Sequence, residues 1–216
     1  MFEVIPGILE KEWEAIEKKI ELVKPFAHTI HIDLLDGKFA PNTTFLDPQP
    51  FAKYTKDTFF ELHMMVDDPV RYIKPFAEAG FRRFIGQVEK MPDIAEFVAE
   101  GQLLGEVGLA LDGKTAVEAV TVPFEDLDFL FIMTVNAGYS GQEFQPAFLE
   151  KVEALRVKNP LNTHGEPLPI EVDGGINAQT ITEAKDAGAT RFVATSFLFS
   201  SPNPHTQFKI LQGFSA

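Results

Sequence analysis

Short apolar runs rich in branched and aromatic residues alternate with amphipathic stretches along the chain, and the alternation repeats eight times without a linker or low-complexity break. The runs predict strands near residues 4–9, 28–35, 59–65, 81–88, 107–111, 127–135, 168–172 and 191–195. Between them, residues 11–23, 69–78, 93–100, 145–157 and 178–187 place apolar positions three and four apart with charges in the gaps, the pattern of helices buried on one side. Gly80, Gly101 and Gly188 follow helical patterns where a left-handed cap is expected, and Asp68 with Pro69 opens another in cap-then-proline order. Runs that stay apolar throughout, such as 129–135, are those of parallel strands covered on both faces. Eight strand-helix units predict an α/β chain closed into a single (β/α)8 barrel over residues 1–216. An open doubly wound sheet is the rival, but Pro6, Gly7 and Ile8 do not make its glycine fingerprint after the first strand.

Composition narrows the chemistry. No cysteine is present, so disulfides, a thiol nucleophile and thiolate metal sites are excluded, leaving His and carboxylates as the strong ligands. A net charge of -13 disfavours nucleic acid and acidic membranes as partners. A phosphorylated metabolite remains compatible, because local amides and a cation suffice to hold it. No apolar run reaches membrane-spanning length, and residues 1–9 read as a strand rather than a signal peptide. The expectation is a cytoplasmic protein, with homo-oligomerisation left open.

The strongest local signal is the run His31, Ile32, Asp33, Leu34, Leu35, Asp36, Gly37 at the end of the second strand. Residues two apart share a face, so His31 and Asp33 point together, into the interior near the C-terminal mouth of a closed barrel. A His–Asp pair can equally be a satisfied internal hydrogen bond. His63 ends the third run and Asp173, followed by Gly174 and Gly175, ends the seventh. Two His and two Asp at one end of three strands form a nitrogen and oxygen set for one divalent ion, suited alike to Zn²⁺, Fe²⁺, Mn²⁺ or Co²⁺. Glycine-bearing turns follow the late strands: residues 136–142, then 173–175, then Thr195 and Ser196. In a barrel such turns commonly hold a phosphate, although each alone also serves a tight turn.

These strings resemble a known family. Residues 31–42 (His-Ile-Asp-Leu-Leu-Asp-Gly-Lys-Phe-Ala-Pro-Asn), 61–66 (Glu-Leu-His-Met-Met-Val), 133–142 (Met-Thr-Val-Asn-Ala-Gly-Tyr-Ser-Gly-Gln) and 170–175 (Ile-Glu-Val-Asp-Gly-Gly) are similar to the motifs of ribulose-phosphate 3-epimerase, in order and spacing from about Pro6 to Phe199. The resemblance implies a TIM barrel that binds one divalent metal through His31, Asp33, His63 and Asp173. It further implies that Asp33 and Asp173 are catalytic. One removes the C3 proton of a ketose phosphate, D-ribulose 5-phosphate to D-xylulose 5-phosphate, and the other protonates the opposite face, while the metal offsets charge on the enediolate oxygens. His63, Met65, Met133, Gly138, Tyr139, Ser140, Gly141, Gly174, Gly175, Thr195 and Ser196 are the implied substrate and phosphate contacts.

Departures from the family pattern fall on substrate-holding positions and spare the four ligands. Gly7 stands where a Ser is usual, Ala137 and Ser140-Gly141 alter the sixth turn, Thr195 replaces a Gly, and Gln87 occupies a position where His is common. The fifth turn reads Asp112-Gly113-Lys114. A hexulose-phosphate 3-epimerase acting on a substrate such as allulose 6-phosphate is therefore a rival, as is a non-catalytic metal or phosphate binder. The related lyases, orotidine-phosphate decarboxylase and hexulose-phosphate synthase, would carry an Asp-x-Lys-x-x-Asp signature, which Asp33-Leu34-Leu35-Asp36 lacks. His28, His164 and His205 read as solvated, Trp13 as packing, Asp67-Asp68 as a helix cap rather than a second metal site, and Asp36 as a turn-orienting residue.

Overall fold

The computed structural model describes residues 2 to 215; Met1 and Ala216, the ends of the expected domain span, lie outside the described residues. Eight parallel strands close on themselves in sequence order: β1 (Glu3–Ile8), β2 (Thr29–Leu35), β3 (Phe59–Met65), β4 (Arg83–Gln87), β5 (Glu106–Leu111), β6 (Phe129–Met133), β7 (Ile170–Asp173) and β8 (Arg191–Ala194). Closure comes from β1 pairing with β8 as well as β2, which removes every sheet edge.

Five helices lie in the gaps where the apolar spacing places them: α1 (Trp13–Val23), α2 (Val70–Glu78), α3 (Ile94–Gln102), α4 (Glu150–Lys158) and α5 (Thr180–Ala187), although the start of the expected 145–157 helix is a 3₁₀ turn at Pro146–Leu149; the short α6 (Ser196–Phe199) and α7 (Pro204–Ser215) follow. In α1 the buried stripe is Ile16, Ile20 and Val23, three and four apart, so one face meets the barrel and the other stays charged. The β2–β3 and β5–β6 crossovers depart from the alternation. They carry only 3₁₀ turns, at Gln49–Lys53 in the first and at Val117–Ala119 and Phe124–Asp126 in the second.

Gly80 and Gly188 adopt left-handed conformations, φ 106° and 109°, as helix-ending glycines should. Gly101 does not. It lies inside α3 against the Val107 side chain, where a Cβ would collide, so its role is close approach of helix to β5. Asp68 is likewise no cap: α2 has no side-chain cap, and the Asp68 carboxylate instead pairs with Arg71 Nε at 3.1 Å. A side-chain cap does open α3, where Asp93 accepts from the Glu96 amide at 3.0 Å.

Alternation along the strands sorts residues into two compartments. The larger apolar cluster, including Ile30, Ile32, Leu34, Leu62 and Met64, lies between strands and helices. A smaller one fills the barrel itself: Ile5, Ile85, Ala110, Phe129, Phe131, Met133, Val135 and Val193. The side chains that share the barrel interior with this second cluster are mostly polar.

Candidate functional site

At the C-terminal mouth, β2 contributes His31 and Asp33, β3 contributes His63, and β7 ends in Asp173. All four are buried, and they offer ligand atoms that lie within 4.8 Å of one another. His31 Nε2 and His63 Nδ1 converge on the same atom, Asp33 Oδ1, at 3.3 and 3.0 Å. Each imidazole is gripped on its other side. His31 Nδ1 donates to Glu61 Oε1 at 2.7 Å, and His63 Nε2 donates to Gln87 Oε1 at 3.1 Å. Phe131 stacks under His31 with centroids 5.6 Å apart, giving the cluster an apolar floor.

Electrostatics separates the two aspartates. Burial, and after it the charge of Asp33, pushes the Asp173 carboxyl up to about 7. Burial acts on Asp33 in the same sense, but the His31 charge and hydrogen bonds from both imidazoles outweigh it and hold Asp33 well below the usual carboxylate range. His31 is raised well above an ordinary imidazole; burial opposes its charge, and Asp33 and Glu61 more than compensate. Two nitrogen lone pairs, two carboxylates and crowding that leaves one carboxyl reluctant to ionise make a donor set that fits a divalent cation of borderline hardness.

Above the cluster lies a cavity of about 30 Å³, room for one or two waters. Its walls include Asp33, Met65, Met133, Gly138, Tyr139, Ser140, Gly141, Asp173, Gly174, Gly175, Thr195 and Ser196. His63 is fully buried and is not among the lining residues; it stands behind Asp33. Leu9, Val135, Gln142, Ile176 and Val193 also line the cavity. Leu9, Ile176 and Val193 are apolar and carry no chemical signature in the sequence, while Val135 and Gln142 lie within the 133–142 motif without a chemical signature of their own. The loop after β6 is tied down across the mouth, with Tyr139 Oη donating to the Pro41 carbonyl at 2.7 Å and Asn42 Nδ2 to that of Gly138 at 2.9 Å. Asp36 orients the facing turn by accepting from the Lys38, Phe39 and Asp67 amides. Asp67 grips Lys38 and Arg71 by ion pairs at 2.7 and 3.0 Å rather than capping α2.

Beneath the cluster is a charged layer that sequence reasoning missed. Strand register sets Glu61 beside Arg83 and Arg83 beside Glu106, and likewise Glu171 beside Arg191 and Arg191 beside Glu3. Arg83 bridges Glu61 and Glu106 at 2.6 and 2.7 Å and lies over the Phe129 ring. Glu171, buried near the Glu61 charge, is raised well above the ordinary carboxylate value. His28, His164 and His205 are exposed, the last stacked on Phe26 at 4.7 Å, and Trp13 packs on Phe51 at 5.0 Å.

Among solved structures, the fold is similar to a 3-hexulose-6-phosphate synthase (TM-score 0.70, 18% identity, 99% of this chain and 100% of that one). It is also similar to KGPDC from Streptococcus mutans (TM-score 0.72, 12% identity, 100% of this chain and 97% of that one). At these identities the likeness is one of fold. In sequence, the chain is 36% identical over 207 residues to a ribulose-phosphate 3-epimerase of Schizosaccharomyces pombe, covering 93% of this chain and 88% of that one. It is 34% identical over 221 residues to the ribulose-phosphate 3-epimerase of Bacillus subtilis, covering 99% of both. No helix among the described residues is long and apolar enough to cross a membrane. The model of the ribulose-phosphate 3 epimerase family matches residues 3–199, and the chain, an isomerase acting on carbohydrate phosphates, belongs to that family.

Proposed function

We propose that this chain interconverts D-ribulose 5-phosphate and D-xylulose 5-phosphate by moving a proton at C3 between Asp33 and Asp173. One observation carries the reading: the carboxyl groups of Asp33, on β2, and Asp173, at the end of β7, border a single cavity at the barrel mouth. Without a cation the two are driven apart, Asp33 held ionised and Asp173 held protonated up to about neutral pH, which is the relationship a paired base and acid need.

In one direction the Asp33 carboxylate takes the C3 proton, and the C3–H electron pair moves into the C2–C3 bond as the carbonyl π pair moves onto oxygen. The Asp173 carboxyl then returns a proton to the opposite face of C3, and the electrons return to restore the ketone. Asp33 ends protonated and Asp173 ionised, the complement of the starting state and ready for the reverse epimerisation. His31, Asp33, His63 and Asp173 would hold one divalent cation, for which Zn²⁺ is our first expectation. The cation would supply positive charge beside the oxygen that becomes anionic. Met65 and Met133 offer polarisable, unreactive walls to the flat intermediate. We assign the phosphate to the turns at Gly138–Gly141, Gly174, Gly175 and Ser196, whose backbone amides suit an anion. A cytoplasmic setting fits a relative described as a cytoplasmic isoform, from Oryza sativa and 34% identical.

The test is metal analysis of the purified chain together with epimerisation assays on ribulose 5-phosphate and allulose 6-phosphate, and deuterium wash-in at C3. Turnover with wash-in on the pentose is the expected result. Preference for the hexose transfers the activity to the larger substrate, and no exchange on either in metal-replete protein overturns the enzymatic reading.

A further inference from the structure

We infer that Gln87, aligned by Glu89, is a positioning residue that fixes which nitrogen His63 turns toward Asp33. The inference rests on the reading of His63 as a cation ligand and adds a residue to it.

Gln87 ends β4, is fully buried, and faces the barrel interior. An amide side chain can present either its oxygen or its NH₂ to a neighbour, and the choice here is forced. Gln87 Nε2 donates to Glu89 Oε2 at 3.0 Å, and a carboxylate only accepts, so the amide oxygen must face His63. Glu89 is itself anchored, its other oxygen accepting from the Asp112 amide at 2.7 Å. Gln87 Oε1 therefore requires a proton on His63 Nε2, 3.1 Å away. The opposite nitrogen, Nδ1, is left to face Asp33 Oδ1 at 3.0 Å. Two atoms with lone pairs at that separation need a cation or a proton between them. With the amide reversed, the NH₂ would face His63, and the Gln87 oxygen would meet the Glu89 carboxylate without a proton between them. The chain from Asp112 through Glu89 and Gln87 thus sets the tautomer and tilt of the imidazole. Partners that hold the far side of a ligating imidazole in this way are worth about 10- to 100-fold in metal affinity.

The test is ring ¹⁵N NMR of histidine-labelled protein, metal-free and zinc-loaded, with zinc dissociation constants from chelator competition. Gln87→Met matches the length of the side chain without its acceptor. Glu89→Ala alters an exposed residue, so its reading does not depend on the core refolding. In wild type the Nε2 proton of His63 is expected in both states, with the zinc on Nδ1. Gln87→Met is expected to lose that pattern and to bind zinc about 10- to 100-fold more weakly, and Glu89→Ala to move both readouts the same way by less. Zinc on Nε2 of His63 in wild type overturns the inference, as does a Gln87→Met protein with unchanged shifts and affinity. A wild type that takes up no zinc but holds the Nε2 proton, which Gln87→Met then loses, overturns the metal reading and upholds the positioning role.

Discussion

Gly7 leaves its side-chain space to Thr195: a Cβ built on Gly7 would collide with the Thr195 hydroxyl and lie 2.7 Å from Val193 Cγ1. The two residues stand on neighbouring strand ends, β1 and just past β8, so only one can carry a side chain into that corner of the mouth. Gly7→Ser alone is expected to cost about 1–3 kcal/mol through overpacking. In a Thr195→Gly background the same change should cost clearly less, since the hydroxyl it strikes is gone, leaving only Val193 to adjust. Urea unfolding of the four proteins of this cycle measures the coupling; strictly additive costs would show that the two positions do not share space.

A second prediction concerns the turn after β7. Gly174 has φ 123°, and a Cβ there would stand 2.5 to 2.9 Å from the Val135 side chain and amide. Gly174→Ala therefore combines backbone strain with a steric clash, a loss of about 1–3 kcal/mol. Because the turn also borders the cavity at Asp173, KM for a phosphorylated ketose should rise more than kcat falls. A variant with unchanged urea midpoint and unchanged KM would show that the turn adapts freely.

These positions also mark where the sequence was and was not readable. The His31, Asp33, His63 and Asp173 quartet was legible because strand alternation and a shared barrel end bring the four together without any knowledge of register. The charged layer beneath it was not. Glu61, Arg83 and Glu106 are widely spaced in the chain and become neighbours only through the parallel register of β3, β4 and β5, which no local pattern encodes. Gly101 was misread for a related reason: a glycine near a helix end signals a cap, and only packing reveals that it is there for Val107. The helix-free β2–β3 and β5–β6 crossovers escaped notice because barrel closure needs a crossover of sufficient reach, and irregular chain supplies it as well as a helix.

Asp173→Asn separates chemistry from fold. The amide keeps the shape of the carboxyl and has no ionisable proton to deliver, so kcat on the productive ketose phosphate should fall about 10²- to 10⁴-fold. Because Asp173 resists ionisation where it lies, the folded, metal-free variant should be at least as stable as wild type near neutral pH. Circular dichroism and thermal unfolding check the second statement and progress curves the first. Near-normal turnover would remove Asp173 from the mechanism.

Metal and pH are linked through the same carboxyl. In the metal-free chain Asp173 is raised from 3.8 to about 7, so its contribution to stability is complete below the unfolded value and is lost as pH rises through about 7. The raised His31 and Glu171 act with the same sign, because each binds its proton more tightly in the folded chain. Asp33, held low, stays ionised across this window and adds no slope there. Metal-free protein should therefore lose stability between about pH 5 and about pH 8, by an amount on the order of a few kcal/mol. A divalent cation competes with the proton on Asp173 and gains as that proton leaves. Thermal unfolding with and without zinc should show a metal-induced rise in Tm larger by about 5 °C or more at about pH 8 than at about pH 5. An increment that shrank with rising pH would mean that the cation, if bound, is not held by the Asp173 carboxylate.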